Sequence, residues 1–331
     1  MPPNLTPAST WRAPIRPLRP HHNRHQRALP HLAQLRPQPD LPQTISTSYG
    51  DDEQTVPSTY ATLACQQFAQ LGAGGITLLF ASGDSGVGPS GACLSNDGKN
   101  TTMFLPSFPA FCPYVTAVGA TKDFAPEVAP LGPANNFPSG WGFSNYFPRP
   151  AYRDPYVPDY IASLGSQFQG LYNESGRGYP DIAAQGSRFL TVWDGGVVVL
   201  DGTSASTPTA AGVVGLVNDA LLAAGRAPLG WLNPWLYGVG KGGFTDVVEG
   251  SAVGCGSEGF PAEGGWDAVT GWGTPYFPKL VRLALEGWVH EYPPNLVQRR
   301  PSSAVPDIPS YNPRPDESLP PLLLFFLPLP H

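Results

Sequence analysis

Asp201-Gly202-Thr203-Ser204-Ala205-Ser206-Thr207-Pro208, followed by a run of mostly small and apolar residues from Thr209 to Ala224, decides how the rest of the chain is read. A Gly-Thr-Ser just ahead of such a run puts a serine at a strand-to-helix turn, where backbone N–H groups at the helix start have no intrahelical partner. That is a favourable place for a nucleophile. The plainer reading is that Ser204 or Ser206 caps a buried helix, a position Ser and Thr prefer anyway.

Working outward, Phe189–Trp193 and Val197–Leu200 predict a hairpin that delivers the chain to Ser204. Further upstream, Thr44–Gly50 reads as a short strand. Val56-Pro57 opens a helix to Leu71, with Tyr60, Leu63, Ala64, Phe68 and Leu71 on one face. Ile76–Ala81 is a continuous apolar run bounded by turn residues, as in a strand buried on both faces. Strand, helix, strand in this order is the βαβ unit of a parallel sheet. Ser82-Gly83-Asp84-Ser85-Gly86 follows at the carboxyl end of that strand, where ligands collect in α/β sheets. Asp84 is therefore a candidate site residue, set against the common Asp-Ser-Gly turn. Tyr114–Gly119 predicts the next strand. Ser139-Gly140-Trp141-Gly142-Phe143-Ser144 suits an extended segment lying against another chain, or a packed bulge. Gly178–Gly186 reads as a turn with a short helix or strand, and Leu229–Tyr237 as an aromatic segment on the domain surface.

Composition divides the 331 residues in three. Residues 1–40 are rich in Pro, Arg and His, and residues 291–331 are rich in Pro. Neither can bury enough apolar surface to offset its ordering entropy, so both read as unstructured around a folded unit at 41–290. The Leu322–Leu327 run is far short of the ~20 residues that cross a bilayer, and no membrane association is expected. Between Leu41 and His290 stand ten Lys and Arg against twenty Asp and Glu, so nucleic acid is an unlikely partner for this acidic unit. Cys65, Cys93, Cys112 and Cys255 lack CxxC spacing and fit two disulfides in any of three pairings. Sequons at Asn4, Asn100 and Asn173, each expected by chance alone, lean with the cysteines toward a secretory route. No apolar leader precedes Pro20, so either the start is not the natural one or the chain is intracellular with free cysteines.

The segment from Phe244 to Phe277 is glycine-rich and without period, and loops of such length are commonly functional or stapled. Its aspartates and free carbonyls suit an oxygen cage for Ca2+, although the spacing is not that of an EF-hand.

Six segments in order carry a resemblance. They are Ile45–Gly50, Phe80–Gly86, Phe111–Gly119, Gly176–Asp181, Gly202–Ser206 and Gly265–Pro275. Together they resemble the sedolisins, or serine-carboxyl peptidases, which include tripeptidyl peptidases, over about Asp40 to Glu286. The resemblance implies a subtilisin-like α/β fold, a mostly parallel central sheet flanked by helices, here incomplete at the N-terminus. It implies Ser204 as nucleophile and Asp84 as a protonated carboxyl lining the oxyanion hole. Ser139, Gly140 and Gly142 would pair with substrate, with Trp141 standing where relatives usually have glycine. Asp246, the carbonyls of Val247 and Gly265, and Asp267 would bind Ca2+, with the Glu263 carbonyl as a further ligand. It also implies a secreted, monomeric enzyme acting on peptide or protein substrates.

Residue chemistry points the same way. No histidine lies between His31 and His290, so a subtilisin-type triad is excluded and a carboxylate base remains open, one that would work at low pH while Asp84 keeps its proton. The family's base Glu and its Asp partner lie on a helix before the Ile45 strand, and this chain has no Glu before Glu53. The chain as written is thus expected to be inactive. A non-catalytic peptide- or calcium-binding remnant is the alternative. An α/β-hydrolase is disfavoured, because Ser204 lacks the Gly-x-Ser-x-Gly elbow.

Overall fold

The computed structural model describes residues 41–89, 91–130 and 137–286, and the backbone of Leu323–Phe325. The expected unstructured head and tail otherwise lie outside the described residues. The strands are β1 (Thr44–Thr47), β2 (Asp51–Asp52), β3 (Thr77–Ala81), β4 (Ser107–Phe108), β5 (Thr116–Thr121), β6 (Gly142–Pro148), β7 (Gly176–Tyr179), β8 (Ile182–Gln185), β9 (Phe189–Trp193), β10 (Gly196–Leu200), β11 (Phe244–Thr245), β12 (Thr274–Pro275) and β13 (Leu323–Phe325). The helices are α1 (Ser58–Ala73), α2 (Val157–Ser163), α3 (Thr203–Ala223), α4 (Leu232–Gly238) and α5 (Phe277–Glu286).

The central sheet runs β13-β1-β3-β5-β8, with every neighbouring pair parallel. Its two faces feed two cores because side chains alternate along a strand. Leu79, Val118 and Ile182 join Ala210, Ala211 and Val214 of α3 on one face. On the other, Leu78, Phe80 and Ala117 join Ala64, Phe68 and Leu71 of α1. Burial on both faces explains why β3 and β5 read as unbroken apolar and small runs rather than alternating ones.

Several expectations shift. On α1 the buried stripe is Ala61, Ala64, Cys65, Phe68 and Leu71, whereas Leu63 is 60% exposed. Ala64, Phe68 and Leu71 face the core as expected, while Ala61 and Cys65 take the buried places expected of Tyr60 and Leu63. The strand expected at Tyr114 starts at Thr116, because Val115 N–H closes a turn onto Cys112 O at 3.3 Å. Gly178–Gly186 resolves into the end of β7 and then β8. Leu232, Leu236 and Tyr237 are buried, so the α4 segment packs into the core rather than over the surface. The cysteines pair Cys65–Cys112 and Cys93–Cys255, and the second bond ties the loop after β3 to the Phe244–Phe277 segment.

Candidate active site

Ser204 is the second residue of α3, half-buried, directly after the β9–β10 hairpin. Neither Ser204 nor Ser206 caps the helix: the residue before it is Gly202, with φ 140° and no side-chain cap. Ser206 is fully buried against Gly186, with no partner for its Oγ among the described residues. The orphan N–H at the helix start is met instead by a side chain from another element. Thr203 N–H donates to Asp84 Oδ1 at 2.7 Å, and Thr203 Oγ1 donates to the same oxygen at 2.9 Å. Gly202 is required here, since a Cβ on it would lie 2.9 Å from Asp84 Oδ2. The two sequence-predicted catalytic residues therefore meet through Thr203, the immediate neighbour of Ser204.

Asp84 is an exposed residue, yet protein packs around its carboxyl. Desolvation raises its pKa above the usual aspartate value, and the two Thr203 bonds pull against that rise without cancelling it. A helix N-terminus favours an ionised partner, the same direction in which the Thr203 bonds act. Among the described residues, no side chain hydrogen-bonds the Ser204 hydroxyl; Ser48 Oγ donates to the Ser204 carbonyl at 3.1 Å.

The segment expected to pair with substrate packs along the Asp84 loop. Gly140 N–H donates to Gly83 O at 2.6 Å, Gly86 N–H to Pro138 O at 3.2 Å and Trp141 N–H to Gly86 O at 3.2 Å. Ser139 is buried and its Oγ accepts Ala120 N–H at 2.9 Å, while Gly142 pairs with Tyr179 across β6 and β7. Trp141 points inward. It is fully buried, its indole N–H donates to Ala252 O at 3.0 Å, and its ring lies 4.0 Å from that of Phe260.

Sequence reasoning missed Glu53. It is 1% exposed and accepts Ser144 Oγ–H at 2.5 Å, Asn145 N–H at 2.7 Å and Tyr146 N–H at 3.3 Å, so it clamps β6. Burial raises its pKa and these three donors oppose the rise. In the sequence it stands in an acidic Asp51-Asp52-Glu53 run that looks like a solvated turn. Asp181 was quoted only as part of a motif. It is buried and takes Arg153, Arg177, Tyr237 OH and Ala117 N–H, joining β5, β7 and α4.

The four calcium-ligand candidates come together. Asp246 Oδ2 accepts Gly265 N–H at 2.7 Å, and Thr270 Oγ1 lies 3.1 Å from Asp267 Oδ2 and 3.4 Å from Val247 O. Glu263 N–H donates to Asp267 Oδ2 at 3.3 Å, while the Glu263 carboxylate is occupied by Ser163 Oγ. Asp267 is fully buried, and no Lys or Arg among the described residues pairs with it; burial pushes its carboxyl up to about 7. A buried carboxylate lacking a cation, beside hard oxygen donors, fits a hard divalent ion. Among the described residues, no three His, Cys, Asp or Glu side chains gather as a metal cluster, so such an ion would rest on two carboxylates and main-chain carbonyls.

Comparison with known proteins agrees with this geometry. Residues 25–227 match the model of the subtilase family. The chain is 45% identical to tripeptidyl-peptidase SED2 of Arthroderma otae over 77% of its own length and 44% of that protein's. It is 47% identical to a probable tripeptidyl-peptidase SED4 of Trichophyton verrucosum, over 75% and 43% respectively. The chain thus spans less than half the length of the curated relatives it matches. The solved structure of Pseudomonas sedolisin, a serine-carboxyl proteinase complexed with pseudo-iodotyrostatin, shares the fold, with a TM-score of 0.57 and 24% identity over 72% of this chain and 64% of that one. A strand-to-helix serine, an aspartate bonded to its neighbour, a parallel sheet covered on both faces and these alignments lead to one conclusion: the chain belongs to the subtilase family, in the branch that holds the sedolisins.

Proposed function

We propose that this chain is the peptidase portion of a secreted, acid-active serine-carboxyl peptidase of the tripeptidyl-peptidase kind, with Ser204 as nucleophile and Asp84 as oxyanion donor. The observation that carries the reading is the pair of hydrogen bonds that Thr203, the neighbour of Ser204, gives to Asp84 Oδ1. Because Oδ1 already accepts two donors, a proton held by Asp84 belongs on Oδ2, the oxygen that faces Gly202. A neutral carboxyl then donates from Oδ2 to the oxygen that gains charge as Ser204 Oγ attacks a peptide carbonyl. The serine proton passes to a carboxylate, since residues 32–289 contain no histidine. It then goes to the departing amine as the C–N bond breaks, and water releases the acyl group by the same route. The raised pKa of Asp84 favours this chemistry at low pH, where a less buried base stays ionised.

Substrate is taken as an extended peptide along Ser139, Gly140 and Gly142. Ca2+ held by Asp246, Asp267 and the carbonyls of Val247 and Gly265 would supply structural cross-linking of the long loop, without entering the reaction. The working unit is a monomer. That no side chain among the described residues bonds the Ser204 hydroxyl favours a second reading, in which this chain alone binds peptide or calcium without turnover. Release of tripeptides from free N-termini between about pH 3 and 5 separates the two, assayed on the 331-residue chain and on a longer product that includes upstream sequence. The peptidase reading requires turnover by the longer product and its loss in Ser204→Ala, with none from the chain alone. Turnover that survives Ser204→Ala overturns it.

A further inference from the structure

The chain contains two Asn-x-Ser/Thr sequons within the described residues, Asn100-Thr101-Thr102 and Asn173-Glu174-Ser175, and the fold treats them differently. We infer that Asn100 is an N-glycan attachment site and that Asn173 is not.

Asn100 directly follows the turn of a small hairpin. Leu94 and Thr102 form an antiparallel bridge, Ser95 N–H donates to Thr101 O at 2.8 Å, and the turn between them runs over Asn96–Lys99. Asn100 has φ 53°, a left-handed conformation that asparagine tolerates at turns. Residues 96–102 are all exposed, and neither the Asn100 amide nor the Thr102 hydroxyl has a partner among the described residues. The base of this hairpin is held by the Cys93–Cys255 bond, so the tip is presented on a fixed stem. Two closed disulfides belong to the oxidising route in which such glycans are added.

Asn173 is half-buried and fully engaged. Its Nδ2 donates to Ser144 O at 2.9 Å, which ties the loop before β7 onto β6, and its Oδ1 accepts Ser175 N–H at 3.2 Å and Ser175 Oγ–H at 2.8 Å. Both sequon groups are therefore spent on each other and on the strand that Glu53 clamps from the other side. A sugar on Asn173 Nδ2 would take one amide hydrogen and force bulk between that loop and β6. A sugar on Asn100 meets only solvent, as a bulky, solubilising group requires.

The transfer forms a bond from Asn100 Nδ2 to the anomeric carbon of a lipid-pyrophosphate-linked oligosaccharide. The carbon–oxygen bond to the pyrophosphate breaks, its electron pair leaves on the phosphate, and the amide proton goes to a base of the transferase.

The test is expression of the whole 331-residue chain behind a cleavable secretion leader in a eukaryotic host. Molecules with both disulfides closed are selected by their failure to react with a thiol alkylator before reduction. Peptide mapping after amidase release of glycans in heavy-oxygen water marks each occupied asparagine as a labelled aspartate. The expected result is label at Asn100 and none at Asn173, with loss of one glycan's mass in Asn100→Gln and in Thr102→Val. Label at Asn173 in the disulfide-closed molecules, or an unlabelled Asn100 in them, overturns the inference. The readout does not depend on peptidase activity, so it stands or falls apart from the proposed reaction.

Discussion

Replacing Trp141 by alanine tests whether the core behind the Asp84 loop sets the stability of the site. Trp141 is fully buried, lies 4.0 Å from Phe260 at a tilt and 5.8 Å edge-on from Phe104, and gives its indole N–H to Ala252 O. Truncating a buried tryptophan costs ~3–5 kcal/mol through lost burial and the cavity left behind. Trp141→Phe keeps most of the ring volume and strands the Ala252 carbonyl, a loss of ~1–3 kcal/mol. Domain stabilities run ~5–15 kcal/mol, so the alanine variant should remain folded but much weakened. With a urea dependence of ~2–3 kcal/mol per molar, its midpoint should fall by roughly 1–2 M. The assay is urea unfolding followed by far-ultraviolet circular dichroism on wild type and both variants. A fall equivalent to less than ~1 kcal/mol for Trp141→Ala would refute the packing argument. So would a phenylalanine variant as unstable as the alanine one. The site should feel the change too, because the Trp141 backbone N–H holds Gly86 O in the loop that carries Asp84.

Glu53 predicts an inverted pH profile. Its folded pKa lies above its ordinary value, so its protonated form is favoured by folding; stability is present below about pH 4.3 and is lost as pH rises through the raised folded value. Asp84 and Asp52 shift in the same direction, so thermal unfolding should show stability climbing as pH falls into the acid range, with a shallower climb in Glu53→Gln. A profile identical in the variant and wild type refutes the role of Glu53. Calcium chelation should lower the melting temperature, and Asp267→Asn should remove that dependence, because the buried Asp267 then loses its need for a cation. A chelator that leaves the wild-type melting temperature unchanged counts against the site.

Much of the fold was legible because its signals are local. The Thr77–Ala81 run, the β9–β10 hairpin and the small-residue helix after Gly202 each declare themselves by period or by turn chemistry within one stretch. The pairing of Asp84 with Ser204 was expected from a resemblance, and the structure adds Thr203 as the link between them. Leu63 misled because helical spacing marks a stripe without saying which edge of it meets the sheet. Glu53 stayed hidden because an acid in an acidic turn looks solvated until a strand from ninety residues later lands on it.

By itself the amino-acid order determined that the middle of the chain folds as a layered α/β unit, that no histidine stands between His31 and His290, and that four cysteines fit two disulfides. These follow from residue chemistry and short-range periodicity, which need no partner to be read. Only the tertiary structure decided which cysteines joined, that Trp141 faces the core, that Glu53 clamps β6, and that Asn100 is open while Asn173 is engaged. Each of those depends on which distant segment arrives at a given side chain, a long-range outcome of packing two cores onto one sheet.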